Sequence, residues 1–113
     1  MNSILQSIKK MLGIAADYTH FDAELINHIN SAFSTLTQLG VGPTEGFFIT
    51  GSTEIWDDFL QDNIKLESVK SYVHLKVKLL FDPPLNSAII TSYENQIREY
   101  EWRLNVAVDP PIA

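Results

Sequence analysis

Residues 66–84, LESVKSYVHLKVKLLFDPP, indicate the fold class most clearly. Apolar residues recur along this stretch at helical spacing, and others widen the stripe beyond the arc of a surface helix. The stripe consists of Leu66, Val69, Val73, Val77 and Leu80, and it is widened by Tyr72, Leu75 and Leu79. Pro83 lacks a backbone donor and disfavours a helical conformation at Asp82, so the helix ends at a sharp corner. We therefore predict a central helix over residues 62–81 of an all-α fold.

Further helices are predicted on either side of the central helix. Each combines apolar residues at helical spacing with a capping or stop signal. Asp22 is a suitable N-cap for the second helix of the chain, Ser52 or Thr53 for the short third helix, and Asn86 for the last. The predicted spans are residues 3–12, 22–39, 53–62 and 87–104. The sequence thus predicts a small bundle of about four to five helices.

The chain is expected to form one domain, residues 1–104, followed by an extended tail, residues 105–113. Its 113 residues are close to the commonest domain size, and 45% hydrophobic residues are enough for a packed core. The tail is too short and too limited by proline for another helix. Val106 and Val108 can add to a partner's surface or strand edge, which makes them candidate interface residues; the other interpretation is a disordered tail.

Residues 41–52 are rich in turn-forming residues, which predicts a loop around a short extended apolar segment. The turn formers are Gly42, Pro43, Gly46 and Gly51, and the apolar segment is Phe47, Phe48 and Ile49. Two adjacent Phe side chains need a surface to contact. Either they cover the end of the helical core, or they contact a neighbouring subunit. Phe47 and Phe48 are therefore candidate interface residues.

Three residues of the last two long helices are also candidates for a protein interface. Lys76 projects within the widened apolar arc, where a lone charge is costly unless it is paired or solvated. Its aliphatic stem can simply lie on the core with the ammonium in water. Trp102 lies opposite the apolar stripe of its helix, one turn after Arg98, and these residue types dominate binding hot spots. Packing of Trp102 under the N-terminal helix is the other interpretation.

No pattern in the sequence is typical of a catalytic, metal or cofactor site. The chain has no cysteine, and its three histidines do not follow metal-binding spacing. The adjacent carboxylates Asp57 and Asp58 point apart on a helix and cannot share one substrate. The glycines match neither a dinucleotide fingerprint nor a phosphate loop. We therefore expect no enzymatic activity, no metal and no cofactor.

Charge and hydropathy limit the classes of partner. The net charge of −6 argues against direct binding of nucleic acid phosphates. No apolar run approaches the roughly 18 residues of a membrane span, so we expect a soluble intracellular protein without a membrane partner. Residues 17–62 contain eight acidic residues and no Lys or Arg, whereas four Lys and one Glu follow between residues 65 and 80. Such an asymmetry suits head-to-tail self-association, although both regions can be ordinary solvated surface.

Taken in order, these features resemble the small helical head-tail connector, or adaptor, proteins of long-tailed bacteriophages. The order is a short amphipathic helix, the Asp22-led helix ending Leu-Gly, the Gly-Phe-Phe-Ile loop, Trp56-Asp57-Asp58-Phe59, the Lys-rich helix ending Phe81-Asp82-Pro83-Pro84, and Glu99-Tyr100-Glu101-Trp102-Arg103-Leu104. The Phe-Asp-Pro-Pro corner and the Glu-x-Glu-Trp-Arg-Leu helix are its most specific parts. The resemblance covers nearly the whole chain.

The resemblance implies a structural protein of a bacteriophage or prophage that acts in virion assembly after DNA packaging. It would form a heterologous ring of about a dozen copies beneath the portal protein. The ring would extend the DNA channel without sequence-specific binding and would dock the next head-completion or tail protein. The protein would be located at the head-tail junction of the virion, and in the host cytoplasm during assembly. Residues 106–112 would reach toward the portal.

A second hypothesis is a small acidic cytoplasmic adaptor or inhibitor. Such a protein would bind one protein partner as a monomer or dimer, for example by presenting a charge surface like that of DNA. Stoichiometry distinguishes this hypothesis from the ring.

Overall fold

The computed structural model describes residues 3–60 and 63–108, and the side chains of residues 3–60 and 66–106. Within these ranges the elements are α1 (Ile4–Leu12), α2 (Asp22–Gln38), α3 (Trp56–Phe59), α4 (Asn63–Phe81) and α5 (Ser87–Val108). The described residues contain no strand, and an isolated antiparallel bridge joins Ser3 to Ile55. The predicted all-α bundle is confirmed. The apolar segment of the loop, Phe47 to Ile49, belongs to no helix, strand or bridge.

The core is built around α4, which packs against α1, α2 and α5. Residues on several sides of α4 are fully buried, as the breadth of its apolar stripe predicts. They include Val69, Tyr72, Val73 and Val77. Leu80 was expected in this core, but 54% of its surface is exposed. It lies in the last turn of α4, where the opening turn of α5 is itself exposed, so no helix covers it.

The first two helices are held together by a buried lysine. The side chain of Lys9 has no exposed surface, and its ammonium lies 2.9 Å from a carboxylate oxygen of Asp22. The same ammonium donates to the carbonyl oxygens of Ala16, at 3.1 Å, and Tyr18, at 2.7 Å. A buried ammonium is tolerated only when it is paired and hydrogen-bonded, and the ion pair with Asp22 and the two carbonyl acceptors meet that requirement. Lys9 thereby fixes the segment that links α1 to α2.

The starts of α2 and α3 differ from the sequence-based prediction. Phe21 is the N-cap of α2, and Asp22, the predicted cap, is its first helical residue because its carboxylate pairs with Lys9. The third helix begins at Trp56 rather than near Ser52 or Thr53. Ile55 is extended and bridges to Ser3, which prevents an earlier start.

The last helix is longer than predicted. The side chain of Asn86 accepts from the N–H of Ala88 at 2.7 Å, so the predicted cap is confirmed. α5 continues to Val108, and the expectation of an extended chain from Asn105 is wrong for residues 105–108. The helix can continue because the next proline, Pro110, restricts only the residue before it, and because Asn105 donates to the Leu39 carbonyl at 3.1 Å. Residues 109–113 of the predicted tail lie outside the described residues.

Replacing Lys9 with Met should lower the free energy of unfolding by about 2–3 kcal/mol, because Asp22 and two carbonyl oxygens lose their shared donor. Chemical denaturation followed by circular dichroism measures this change. Lys10→Met is the matched control, since Lys10 is exposed on the same helix; it should change stability by less than about 0.5 kcal/mol. Equal effects of the two substitutions would contradict the role assigned to Lys9.

Candidate interaction surfaces

The loop that carries the two Phe residues is anchored to α2 by one side chain. The Asn30 amide nitrogen donates to the Ile49 carbonyl at 3.0 Å, and the Ile49 N–H donates to the Asn30 amide oxygen at 2.7 Å. This pair of bonds copies the pairing of a β-ladder and holds Ile49 in the core, where it is 1% exposed. Successive side chains of an extended segment point to opposite sides. The anchor at Ile49 therefore directs Phe47 inward and Phe48 outward.

Phe47 and Phe48 differ in their surroundings, so each fits one of the two interpretations of the loop: covering the core or contacting a neighbouring subunit. The Phe47 ring centroid lies 5.1 Å from that of Phe33 and 5.3 Å from that of Phe59, both edge-on. Phe47 thus covers the core, as one interpretation states. Phe48 is 68% exposed, as contact with another subunit requires. Only Phe48 is positioned to contact a partner directly.

Gly42 allows the loop to approach α3 closely. Its φ of +85° is in the left-handed region, and a Cβ atom at this position would lie 2.4 Å from a ring carbon of Phe59. Any side chain here would displace Phe59, on which Phe47 packs. Gly42 therefore supports the position of the exposed Phe48 indirectly.

Phe47→Ala should lower the free energy of unfolding by about 2–3 kcal/mol, because it removes a ring packed on two others. Phe48→Ala is the matched control and should leave stability within about 0.5 kcal/mol. Thermal and denaturant unfolding of the two variants measures the difference. A larger loss for Phe48→Ala than for Phe47→Ala would contradict the assignment of inward and outward side chains.

The rotation of α5 is set by its contact with α4. The Tyr72 hydroxyl donates to a Glu101 carboxylate oxygen at 2.7 Å, and Ile97 and Leu104 are buried on the same side of α5. Burial raises the pKa of Tyr72 well above its usual range, and the bond to Glu101 raises it further. Tyr72 therefore stays protonated and remains a donor. Because this side of α5 faces α4, its other side faces solvent.

Trp102 lies on the solvent-facing side of α5 and is 67% exposed. Packing under the N-terminal helix, the second interpretation of Trp102, is therefore wrong. Arg98 and Val106 lie one turn before and one turn after it, so three of the predicted interface residues follow one another along the helix. Arg98 is exposed and donates to the side chain of Asn95, while Val106 is partly buried. Val108 is in the last turn of α5, and its side chain is outside the described set.

A groove between α4 and α5 brings two of the predicted residues together. It has a volume of about 300 Å³, and its lining residues are Lys76, Leu79, Leu80, Glu94, Ile97 and Arg98. The Lys76 ammonium lies 5.8 Å from the centroid of the Tyr72 ring, so its stem lies on the core while its head reaches the groove. We call these six residues the α4–α5 groove. The sequence indicated Lys76 and Arg98 separately but not their proximity.

Exposed apolar side chains near this groove were missed by the sequence reasoning. Leu85 is fully exposed in the corner between the helices, and Ile89 is 44% exposed in the first turns of α5. A signal for Leu85 was available, because it follows two prolines and precedes the Asn86 cap and so belongs to neither helix. No comparable signal marked Leu80 or Ile89, whose spacing fits an apolar stripe.

The described residues offer no evident metal or membrane site. Across residues 3–60 and 63–108, no group of three or more His, Asp or Glu side chains is arranged to hold a metal ion. In the same ranges, no helix has the length and apolar character needed to cross a membrane.

The comparison with protein families identifies the chain. A family model described as "Phage connector protein" matches residues 4–111. The chain belongs to this family. The match begins with α1 and extends past the end of α5, so it covers all the helices described above, and it confirms the resemblance seen in the sequence. No curated protein and no solved structure matches the chain.

Membership of this family gives the connector a structural role of the phage connector type, in association with other head or tail proteins of the virion. The family is structural rather than enzymatic. The features that matter for this connector are therefore its exposed contact residues, rather than a cavity for a substrate.

One of these features is an acidic region formed by the loop and α3, which precede the two helices of the groove in the sequence. Phe47 packs on Phe59, so the loop and α3 adjoin. In this region the connector exposes three carboxylates, Glu45 in the same loop as Phe48, and Asp57 and Asp58 on α3. We call Glu45, Phe48, Asp57 and Asp58 the acidic surface. No Lys or Arg occurs from residue 17 to residue 60 to balance it.

The stability of the connector should depend on pH through His74. Burial lowers the pKa of His74 from its ordinary value of 6.5, and the nearby Lys78 lowers it further. The unfolded chain then binds a proton more readily than the folded one, so the contribution of His74 is complete above pH 6.5 and is lost as the pH falls through the lowered folded-state pKa.

Wild-type unfolding free energy should therefore decrease between pH 7 and pH 5 more steeply than that of His74→Gln, as measured by denaturant titration at each pH. Asn27→Gln, at an exposed residue that does not titrate, is the control and should keep the wild-type slope. Identical slopes for all three proteins would contradict the assignment to His74.

Proposed function

We propose that this connector forms a closed ring of identical subunits beneath the portal protein of a filled phage head. The ring extends the channel through which DNA passes and presents a docking surface for the next head-completion or tail protein. The observation that carries the proposal is the 67% exposed Trp102 on a helix held rigidly against α4, in a chain that belongs to the phage connector family.

A ring needs two different contact surfaces on each subunit, because one face of a subunit meets another face of the next. The connector exposes aromatic side chains on two separate elements. Phe48 lies in the loop beside α2, and Trp102 lies on α5, which packs against α4. Exposed aromatic residues near an Arg are typical of interface hot spots. These features support a heterologous contact and a further contact to a partner.

The acidic charge of the chain fits a channel that DNA crosses without being held. A net charge of −6 provides few cations for phosphate contacts, and phosphate contacts supply most non-specific affinity for DNA. We assign Val106, Val108 and the residues that follow α5 to the portal side, next to the α5 face that carries Trp102. Assembly of the ring in the host cytoplasm and its location at the head-tail junction belong to the same proposal.

Native mass spectrometry of the purified protein, alone and with a candidate portal protein, tests the ring directly. A discrete species of about a dozen subunits in either sample supports it. A monomer or dimer in both samples would instead favour the small acidic adaptor or inhibitor.

Trp102→Ala should reduce ring formation or portal binding by at least about tenfold, because it removes a large exposed anchor. Helical content should be unchanged, and the free energy of unfolding should stay within about 0.5 kcal/mol of wild type, since the side chain makes few internal contacts. Gln96→Ala, also on the exposed part of α5, is the control and should assemble normally. An intact ring with unchanged portal affinity in Trp102→Ala would exclude Trp102 from both contacts.

A further inference from the structure

We infer that the α4–α5 groove of one connector subunit receives the acidic surface of the next subunit. This inference rests on the proposed ring and adds to it the specific pair of surfaces that meet. In the proposed contact, Phe48 packs on the apolar wall formed by Leu79 and Leu80, and the carboxylates of the acidic surface face Lys76 and Arg98.

The groove has the chemistry of a site for an acidic, partly apolar segment. In the described part of the chain, no carboxylate lies within ion-pair distance of Lys76 or Arg98, whereas Lys70 and Arg103 are paired within their own helices and Lys78 is paired with Asp82 just after α4. Glu94 also lines the groove and leaves it one net positive charge. Leu80, 54% exposed, supplies apolar surface that the described residues of one subunit leave open. A partner that supplies both carboxylates and an apolar ring satisfies all these groups.

The acidic surface supplies these groups, and Lys70, which lies beside α3, is already paired with Glu67 on its own helix. Phe48 is its exposed apolar side chain, at 68% exposure. Glu45 and Asp57 are exposed, and in the described residues neither lies within ion-pair distance of a cation. Since no Lys or Arg occurs between residues 17 and 60, this part of the molecule attracts cations and repels a second copy of itself. Like surfaces are therefore disfavoured as partners, and unlike surfaces are favoured.

The two surfaces lie on different sides of α4, so one subunit cannot join them internally. The Lys70 ammonium lies 5.9 Å from the centroid of the Trp56 ring, which places α3 on that side of α4. Lys76 is six residues further on, which places it about 120° away around the helix axis at 3.6 residues per turn. Two complementary surfaces on different sides of one rigid molecule are the requirement for a head-to-tail contact between copies.

Cross-linking tests the contact directly, because the chain has no cysteine of its own. Phe48→Cys and Leu80→Cys variants, one of them labelled with nitrogen-15, are mixed and treated with a short bis-maleimide. The expected product is a dimer that contains one labelled and one unlabelled chain. Mixing Phe48→Cys with Met11→Cys, whose cysteine is exposed on α1 outside both surfaces, is the control and should give little product.

The pattern of products decides the inference. A dominant Leu80→Cys homodimer would show that the grooves of two subunits meet each other. A dominant Phe48→Cys homodimer would show that the loops of two subunits meet each other. Either result would overturn the proposal. Absence of the mixed product would also overturn it. Because cross-linking detects the pairwise contact and native mass spectrometry detects the ring, a wild-type ring without the mixed product refutes only the contact. A wild-type monomer or dimer, alone and with portal, refutes the ring itself.

Charge reversal provides a second, independent readout. Lys76→Glu with Arg98→Glu should weaken assembly by about tenfold or more, and Glu45→Lys with Asp57→Lys should do the same. Asp58 is left unchanged because its carboxylate accepts from the Ile55 N–H at 2.9 Å and supports the start of α3. Mixing the two double variants should restore assembly, since each brings the charge that the other lacks. Lys10→Glu, on α1, is the matched control and should assemble normally; failure of the mixture to recover would count against the pairing.

Discussion

The breadth of the apolar surface of α4 is the constraint on which the rest of the structure depends. A helix that is apolar on several sides must be covered on those sides, and α1, α2 and α5 provide the cover. The cover ends where α4 meets the Asp82-Pro83-Pro84 corner. Leu80, in the last turn, is left exposed for this reason. The α4–α5 groove lies at this end of the central helix, where Leu79 and Leu80 face residues of α5.

Polar contacts then fix the orientation of the elements around α4. The Tyr72–Glu101 bond sets the rotation of α5, and so it is also responsible for the exposure of Trp102. Lys9 holds the link between α1 and α2 through one carboxylate and two carbonyl oxygens. Asn30 holds the loop by bonding both backbone groups of Ile49. In each case a single buried or half-buried side chain positions a segment whose exposed residues are available for contact.

For a protein of the phage connector family, this arrangement favours contact with other proteins. The contact residues lie on rigidly held elements, so little conformational entropy is lost when they meet a partner. The acidic surface and the α4–α5 groove differ in both charge and shape. In the proposed ring this difference favours a contact between the two different surfaces over a contact between two copies of the same surface. The same charge distribution limits attraction to DNA phosphates.

The sequence by itself determined the features that depend on neighbours within a turn or two. These are the presence and order of the helices, the cap at Asn86, the corner after Phe81 and, through the order of these features, the family. Tertiary structure alone decided which distant residues meet. Asp22 pairs with Lys9 instead of capping α2, Phe47 and Phe48 point to opposite sides, Leu80 is exposed, and Lys76 lies in one groove with Arg98. The physical reason is that periodicity and capping act locally, whereas burial and ion pairing depend on how separate helices pack. The continuation of α5 past Leu104 belongs to the second group, since Asn105 binds the end of α2.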